Sequence, residues 1–543
     1  MIELGQIQMD TAVLERQLRH DLKDDWFPDT VRFKDYFGTG RIEQLANTNF
    51  EQNHGVYIPQ KRVVENVPKP DFTLRAALET GIVDRAIYHG VCANLCDWLD
   101  PLIPWYVFSH RSAIGTQKSK YMFRRGIPSW RDFHGSVRTS LSTGKFLLTT
   151  DLTTYFDNIN IDKLKHEMSL LVAELNQTAA VKNTVRAHID FLFNCLKHWT
   201  YEGHRGLPQN RDASSFLANV YMRRVDLNMR NAGYTYFRYM DDIRIICDSD
   251  VEARKALKQL VIEIRQLGLS VNSKKTSIVH VINQNSLDEC IEEPSQELRY
   301  LQALWDTRKI SSIKASFAPL RKLALKELRE NNLMSREFRF AMNRLVLLAG
   351  CKEVSVPETF FSEITHLIID ALPKQPSPTD KYVEYLERVP LDEDQIAKIV
   401  SFLINSDLNI YEWQSYRLWN LIGVRKISSE TLISCALQQL DRNDGPARAG
   451  ATLFLGANGN QDQKQQIAIK FPKIETFIGQ RAALIAMQEL PFRPFVEKYV
   501  AGNVRKDLHN IYRNAKKSNL GYFSDPEPVS LTQFVDPERD HVS

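Results

Sequence analysis

The sequence predicts an α+β fold in two parts, with strands and helices intermixed to about residue 305 and helices alone beyond it. Three observations carry this reading. Residues 234–247, Tyr-Thr-Tyr-Phe-Arg-Tyr-Met-Asp-Asp-Ile-Arg-Ile-Ile-Cys, form two runs rich in aromatic and β-branched residues around Asp241 and Asp242. That is the pattern of a hairpin with an acidic tip. Residues 146–151, Phe-Leu-Leu-Thr-Thr-Asp, read as an apolar strand delivering Asp151 at its end. From about residue 311, the segments 336–348, 363–372, 395–404, 411–422, 430–440 and 480–490 carry apolar residues at helical spacing, separated by Pro, Gly and Asn/Asp breaks.

The 543 residues suffice for two to four domains with real cores. With 43% hydrophobic and 25% charged residues, the composition is that of an ordinary globular protein. A net charge of +4 is small for this length, so any groove for nucleic acid must come from local arrangement rather than bulk charge. The seven cysteines are scattered, without a CxxC pair or neighbouring histidines, which argues against a zinc site or a disulfide framework. No apolar run reaches the length of a membrane span, and the first residues lack the blocks of a signal peptide. The expectation is a soluble cytoplasmic protein.

Taken in order, residues 1–60 show no clear periodicity. Lys69 and Arg75 flank a Pro-directed turn, the mark of a hairpin bearing cations. Residues 84–99 repeat apolar positions at helical spacing, which puts Cys92 and Cys96 in a helix core. Residues 117–134 interleave cations with aromatic rings, a combination suited to phosphates and stacked bases, and equally to a solvated basic loop. Asp151 is followed by a turn and a helix over 161–171; alone, a strand-end Asp reads as a helix cap. At 206–219, a Gly/Pro loop carrying Gln209, Asn210 and Arg211 opens into a helix of small residues, which admit a flat group close to the backbone. Residues 251–267 read as an amphipathic helix, and 268–276 as a strand and a basic turn with Lys275. In the helical part, Arg448 and Arg481 stand 33 positions apart in faintly similar segments, as in a helical-hairpin repeat. Trp413, Tyr416 and Trp419 form a core stripe, Arg505 and His509 read as solvated charges on a surface helix, and residues 524–543 as a loose tail.

Adjacent carboxylates at a hairpin tip repel one another, and an apolar setting is a costly place for them without a cation between. A divalent ion held by oxygen ligands is the usual solution. A lone Asp-Asp would be a solvated turn, but here two further stretches point to the same chemistry.

Strand-end Asp151, the Pro-Gln loop and Tyr239-Met240-Asp241-Asp242, in that order, resemble motifs A, B and C of a reverse-transcriptase palm. Residues 268–276 resemble motif D, and 298–305 stand where the motif E hairpin belongs, with Leu301-Gln302 in place of the family's Leu-Gly. A palm followed by more than 200 residues of helical segments is similar to the bacterial abortive-infection and defence-associated reverse transcriptases. The resemblance implies a reverse-transcriptase fingers-palm domain over 1–305, an all-α helical-repeat (HEAT-like) domain over 306–523, and the tail. It implies two Mg²⁺ ions held by Asp151, Asp241 and Asp242, with Lys275 as proton donor to pyrophosphate. Lys69 and Arg75 would hold the triphosphate of a dNTP, Gln209 and Arg211 would contact the nucleotide, and Phe156 would exclude a ribose 2′-OH. It further implies anti-phage defence, DNA synthesis that is untemplated or protein-primed with the product attached to the protein, and homo-oligomers. Two other readings stand beside it. One is an RNA-templated enzyme of retron or group II intron type; the other is a phage-sensing scaffold without activity.

Overall fold

The computed structural model describes residues 1–291, 294–509 and 511–530. The chain divides into two compact units. The first is Met1–Asp24, Gly40–Arg62 and Leu78–Pro294; the second is Asp25–Thr39, Val63–Ala77 and the residues from Ser295 onward.

Eight strands form three sheets among the described residues: β1 (Ile2–Leu4) with β2 (Ile7–Met9), β3 (Val63–Pro68) with β4 (Leu74–Glu79), and a four-stranded sheet. The last contains β5 (Phe146–Thr150), β6 (Thr235–Tyr239), β7 (Asp242–Cys247) and β8 (Ser277–His280), in the order β6-β7-β5-β8. All its pairings are antiparallel. This sheet is the heart of the first unit. Its central β7 is buried from Ile243 to Cys247, on both faces. Side chains alternate along a strand, and the Arg244 guanidinium lies 5.9 Å from the Phe133 ring of the helix Gly126–Ser140. Ile243 and Ile245 therefore face the other way. The helices Asp212–Asn231 and Asp250–Gln266 pack against the strands as well. The latter follows the expected rules: Ser249 caps it, Asp250 and Glu252 occupy its first turn, and Gly268 beyond its end adopts φ +84°.

The second unit is a helical stack. Along Arg336–Gly350, Thr379–Leu386, Glu412–Val424, Pro446–Asn458, Phe477–Ala486 and Ile511–Ser518, each helix packs on the next in this row. The intervening helices Phe317–Arg329, Glu358–Ala371, Glu393–Ile404 and Glu430–Gln439 build a second row in the same way, and its final helix also packs on Pro446–Asn458. This is the α+β architecture expected from sequence, with a largely helical region after the mixed one. Arg448, near the start of Pro446–Asn458, and Arg481, midway along Phe477–Ala486, sit on consecutive helices of the first row, both buried. Trp413 and Tyr416 join Phe27, Val31, Val67 and Leu453 in one apolar cluster.

Three local expectations are corrected. Residues 298–305 are not a hairpin but lie in the helix Gln296–Asp306. Ser295 caps it, and Leu298, Leu301 and Trp305 bury one face, so the apolar period is helical and no turn residue interrupts it. Arg505 is no solvated charge; it is half-buried and grips Asp507 through Nε and Nη2, both at 3.1 Å. Residues 524–530, expected to be loose, pack within the second unit. The Ser524 N–H donates to the Thr30 carbonyl at 2.8 Å, and Arg32 pairs with Glu527 at 2.8 Å. The rest of the expected tail, 531–543, lies outside the described residues.

Candidate active site

The sheet brings Asp151, Asp241 and Asp242 to one place. Thr150 of β5 pairs with Ile243 of β7. The next residues along the two strands are Asp151 and Asp242, on neighbouring strands spaced about 4.8 Å apart. Asp241 sits beside them in the turn between β6 and β7. Met240 in that turn adopts φ +55°, unusual for a residue with a long side chain.

The basic turn expected at 273–276 is laced onto β5. The Asn272 N–H donates to the Asp151 carbonyl at 2.7 Å, and the Thr153 N–H to that of Ser270 at 2.9 Å. The Thr150 and Thr276 hydroxyls are 2.7 Å apart. This lacing sets Lys275 Nζ 2.8 Å from Asp151 Oδ2. Burial would lower the Lys275 pKa, but that hydrogen bond and the charges of Asp151, Asp241 and Asp242 outweigh it and raise it. Arg244 Nη1 stands 3.5 Å from Asp242 Oδ1. Asp241 is pushed up to about 7, first by burial, then by its like-charged neighbours Asp242 and Asp151. Its first cause is desolvation and its second is crowding of negative charge, the condition a divalent cation relieves. An all-oxygen donor set of three carboxylates fits Mg²⁺ chemistry.

A second acidic group needs a different reading. Among the described residues, one trio of His, Cys, Asp or Glu side chains has all its ligand atoms within 4.8 Å of one another: Asp21, His89 and Asp212. Asp21 Oδ2 accepts from Arg85 Nε at 3.0 Å and Nη2 at 2.8 Å, while its Oδ1 accepts the Asp212 N–H at 2.8 Å. Burial would raise Asp21, but Arg85, His89 and Arg211 hold it low. Burial and Asp21 push Asp212 up to about 7, and burial lowers His89 to about 4. Asp21 thus serves as a borrowed cap for the helix Asp212–Asn231, already neutralised by Arg85, with its oxygens taken. This group does not suit a cation.

The loop before that helix is tied to the segment after Asp151. The Leu207 N–H donates to the Phe156 carbonyl at 3.0 Å and the Gly206 N–H to that of Ile159 at 2.9 Å. Gly206 adopts φ +84°, and an added Cβ would come within 2.2 Å of the Tyr201 ring. Glycine is required there. The Gln209 amide donates to Asp157 Oδ1, which also accepts the Tyr201 hydroxyl at 3.2 Å. Asn210 has the left-handed conformation its residue type tolerates, φ +56°. Phe156 is half-buried. Arg211 is buried and committed to Glu79, with Nη2 2.9 Å from both carboxylate oxygens. Lys69 and Arg75 lie on the β3–β4 hairpin in the second unit, where Arg75 stands 5.6 Å from the Trp26 ring. Trp130, in the basic–aromatic stretch, packs edge-on at 4.8 Å against Tyr239 beside the acidic turn.

Sequence reading missed Asp157, Arg238 and Ser109. Arg238 carried a signal, since a cation inside a strand of buried residues needs a partner. Asp157 and Ser109 carried none, because their partners are distant in sequence.

Residues 112–303 match the family model of reverse transcriptase (RNA-dependent DNA polymerase). That segment has the sequence of a reverse-transcriptase domain. No protein of curated function matches the chain. Among solved structures, apo telomerase from Candida tropicalis lacking its C-terminal domain is similar, at 14% identity and TM-score 0.29, over 44% of this chain and 54% of that one. A second structure of apo telomerase from Candida tropicalis matches at 12% identity and TM-score 0.31, over 73% of this chain and 70% of that one. Telomerase from Candida albicans, with a fragment of telomeric RNA, matches at 11% and 0.29, over 68% and 63%. The chain thus spans about half the length of the first of these. Among the described residues, no helix is long and apolar enough to cross a membrane.

Proposed function

We propose that the protein is a cytoplasmic DNA polymerase of the reverse-transcriptase type that adds dNTPs with two Mg²⁺ ions in bacterial anti-phage defence. On this reading synthesis is untemplated and protein-primed, and the protein works as a homo-oligomer. The observation that carries the polymerase reading is the meeting of Asp151, at the end of β5, with Asp241 and Asp242 at the β6–β7 turn, with Lys275 Nζ 2.8 Å from Asp151. The defence role is supported by the resemblance of the motifs and by the helical stack that follows the palm, with residues 298–305 themselves in a helix.

Phosphoryl transfer asks a protein chiefly for positioning and charge stabilisation. Asp151 and Asp241 would hold both ions, with Asp242 completing the set. When bound, the ions activate the attacking hydroxyl and stabilise the leaving pyrophosphate. Lys275, held protonated by the surrounding carboxylates, would hand its proton to pyrophosphate. Asp157 accepts from the Gln209 amide, and Gln209, held there, would contact the nucleotide. The Phe156 ring, anchored through its carbonyl, would reject a 2′-hydroxyl. Arg211 has a holding role through Glu79 rather than a direct contact.

The test uses purified protein, Mg²⁺ and single labelled dNTPs or NTPs, without template or primer, resolved on a denaturing gel before and after proteinase and nuclease treatment. The expected product is DNA that enters the gel only after proteolysis, absent in Asp241→Ala, with NTP use rising in Phe156→Ala. Incorporation abolished by prior RNase treatment would instead establish an RNA-templated enzyme. Incorporation unchanged in Asp241→Ala would contradict the assignment.

A further inference from the structure

We infer that Arg238 and Ser109 are positioning residues that hold the acidic turn in its working shape. The inference rests on the polymerase reading and names how that site is kept in order. Met240, just before Asp241, holds a left-handed backbone conformation that its side chain disfavours. Both of its peptide groups are gripped by buried side chains. The Met240 N–H donates to Ser109 Oγ at 2.8 Å, and the Met240 carbonyl accepts from Arg238 Nη1 at 2.8 Å. The strained residue is pinned on both sides.

Behind the two grips stands a closed network. Arg238 Nε and Nη2 each donate to Asp226 at 2.7 Å, and Nη1 donates to Asn219 Oδ1 at 3.0 Å. Asn219 Nδ2 donates to the Ser109 carbonyl at 2.7 Å, joining the two grips to each other. Tyr236 donates to Asp226 Oδ1 at 2.8 Å, and the Tyr106 hydroxyl donates to the Asp226 carbonyl at 3.3 Å. The backbone around Arg238 is fixed too, its N–H donating to Tyr106 and its carbonyl accepting from Phe108. Ser109, Asn219, Asp226 and Arg238 are all fully buried.

A buried ion pair adds little net stability and is often replaceable by apolar residues of similar size. Stability alone therefore does not explain this network. Its directed donors do: they end on the one residue whose conformation aims Asp241. Arg238 reaches the turn through a hydrogen bond to the Met240 carbonyl, so it works through geometry.

Two variants test this: Ser109→Ala, which removes one hydroxyl, and the double variant Arg238→Met with Asp226→Leu, which leaves no lone buried charge. Mn²⁺ binding would be read by electron paramagnetic resonance without nucleotide, beside kcat and the dNTP KM on a primed template, with melting as the folding control. Displacing a reacting group costs about tenfold to a hundredfold in rate. Both folded variants should lose kcat on that scale, bind Mn²⁺ more weakly and keep the dNTP KM. Variants that melt lower but retain wild-type kcat and Mn²⁺ affinity would overturn the inference and leave a purely structural network. Wild-type protein whose Mn²⁺ binding and incorporation match those of Asp241→Asn would instead overturn the polymerase reading, and the inference with it.

Discussion

Asp241 is where the electrostatic cost of the site concentrates. Its carboxyl is raised to about 7, so between about pH 4 and 7 the folded protein binds a proton that the unfolded chain does not. Stability from this group is present at low pH and lost as pH rises through 7. Asp212, also raised to about 7, titrates in the same window, so the contribution of Asp241 must be isolated by substitution. A cation bound by Asp151, Asp241 and Asp242 removes the repulsion where the acids are ionised. Mg²⁺ should therefore raise the melting temperature more at pH 8 than at pH 6, and Asp241→Asn should erase that difference. A Mg²⁺ effect unchanged by the substitution would place the cation elsewhere. The three aspartates were legible in sequence because each lies in a short local pattern. The fate of Arg211 was not, since its partner Glu79 is 132 residues away.

At the scale of elements, the helices were legible wherever one apolar face persists, as in Glu393–Ile404 with its Asp392 cap. The stretch at 298–305 misled because its place in the motif order suggested a hairpin, while its Leu298, Leu301 and Trp305 spacing is helical. The segment 25–39 was illegible for a different reason. It has no period of its own and is shaped by partners more than 380 residues onward. Trp413 Nε1 donates to the Trp26 carbonyl at 2.9 Å, and Tyr416 donates to that of Pro28 at 2.7 Å. Arg481, buried, is gripped by Asp29 and Asp35; its Nη1 and Nη2 lie 3.0 and 2.7 Å from Asp35 oxygens. Removing one partner of such a group strands the others as uncompensated buried charges. Arg481→Met is expected to cost about 3–5 kcal/mol in unfolding free energy, measured by chemical denaturation. A loss below about 1 kcal/mol, the scale of an exposed pair, would mean that the two aspartates find water or other partners.

At the scale of the whole molecule, the chain order disguises the architecture. Each unit gathers segments separated by long intervals, and Asp25–Thr39 and Val63–Ala77 belong with the helices from Ser295 onward. Composition and periodicity report local preference, so they located the change from mixed to helical character near residue 305 but not these two insertions. The account rests on one claim, that Asp151, Asp241 and Asp242 form a metal-dependent polymerase centre. The most direct measurement is incorporation of a labelled dNTP on a supplied primed template, by wild type and Asp241→Asn, with EDTA and with Mg²⁺ restored. The account predicts incorporation by the wild type, lost with EDTA, regained with Mg²⁺, and reduced at least about a thousandfold by the substitution, on the scale of removing a catalytic group. Equal incorporation by both proteins, or none by a folded wild type on any primed template, would contradict it.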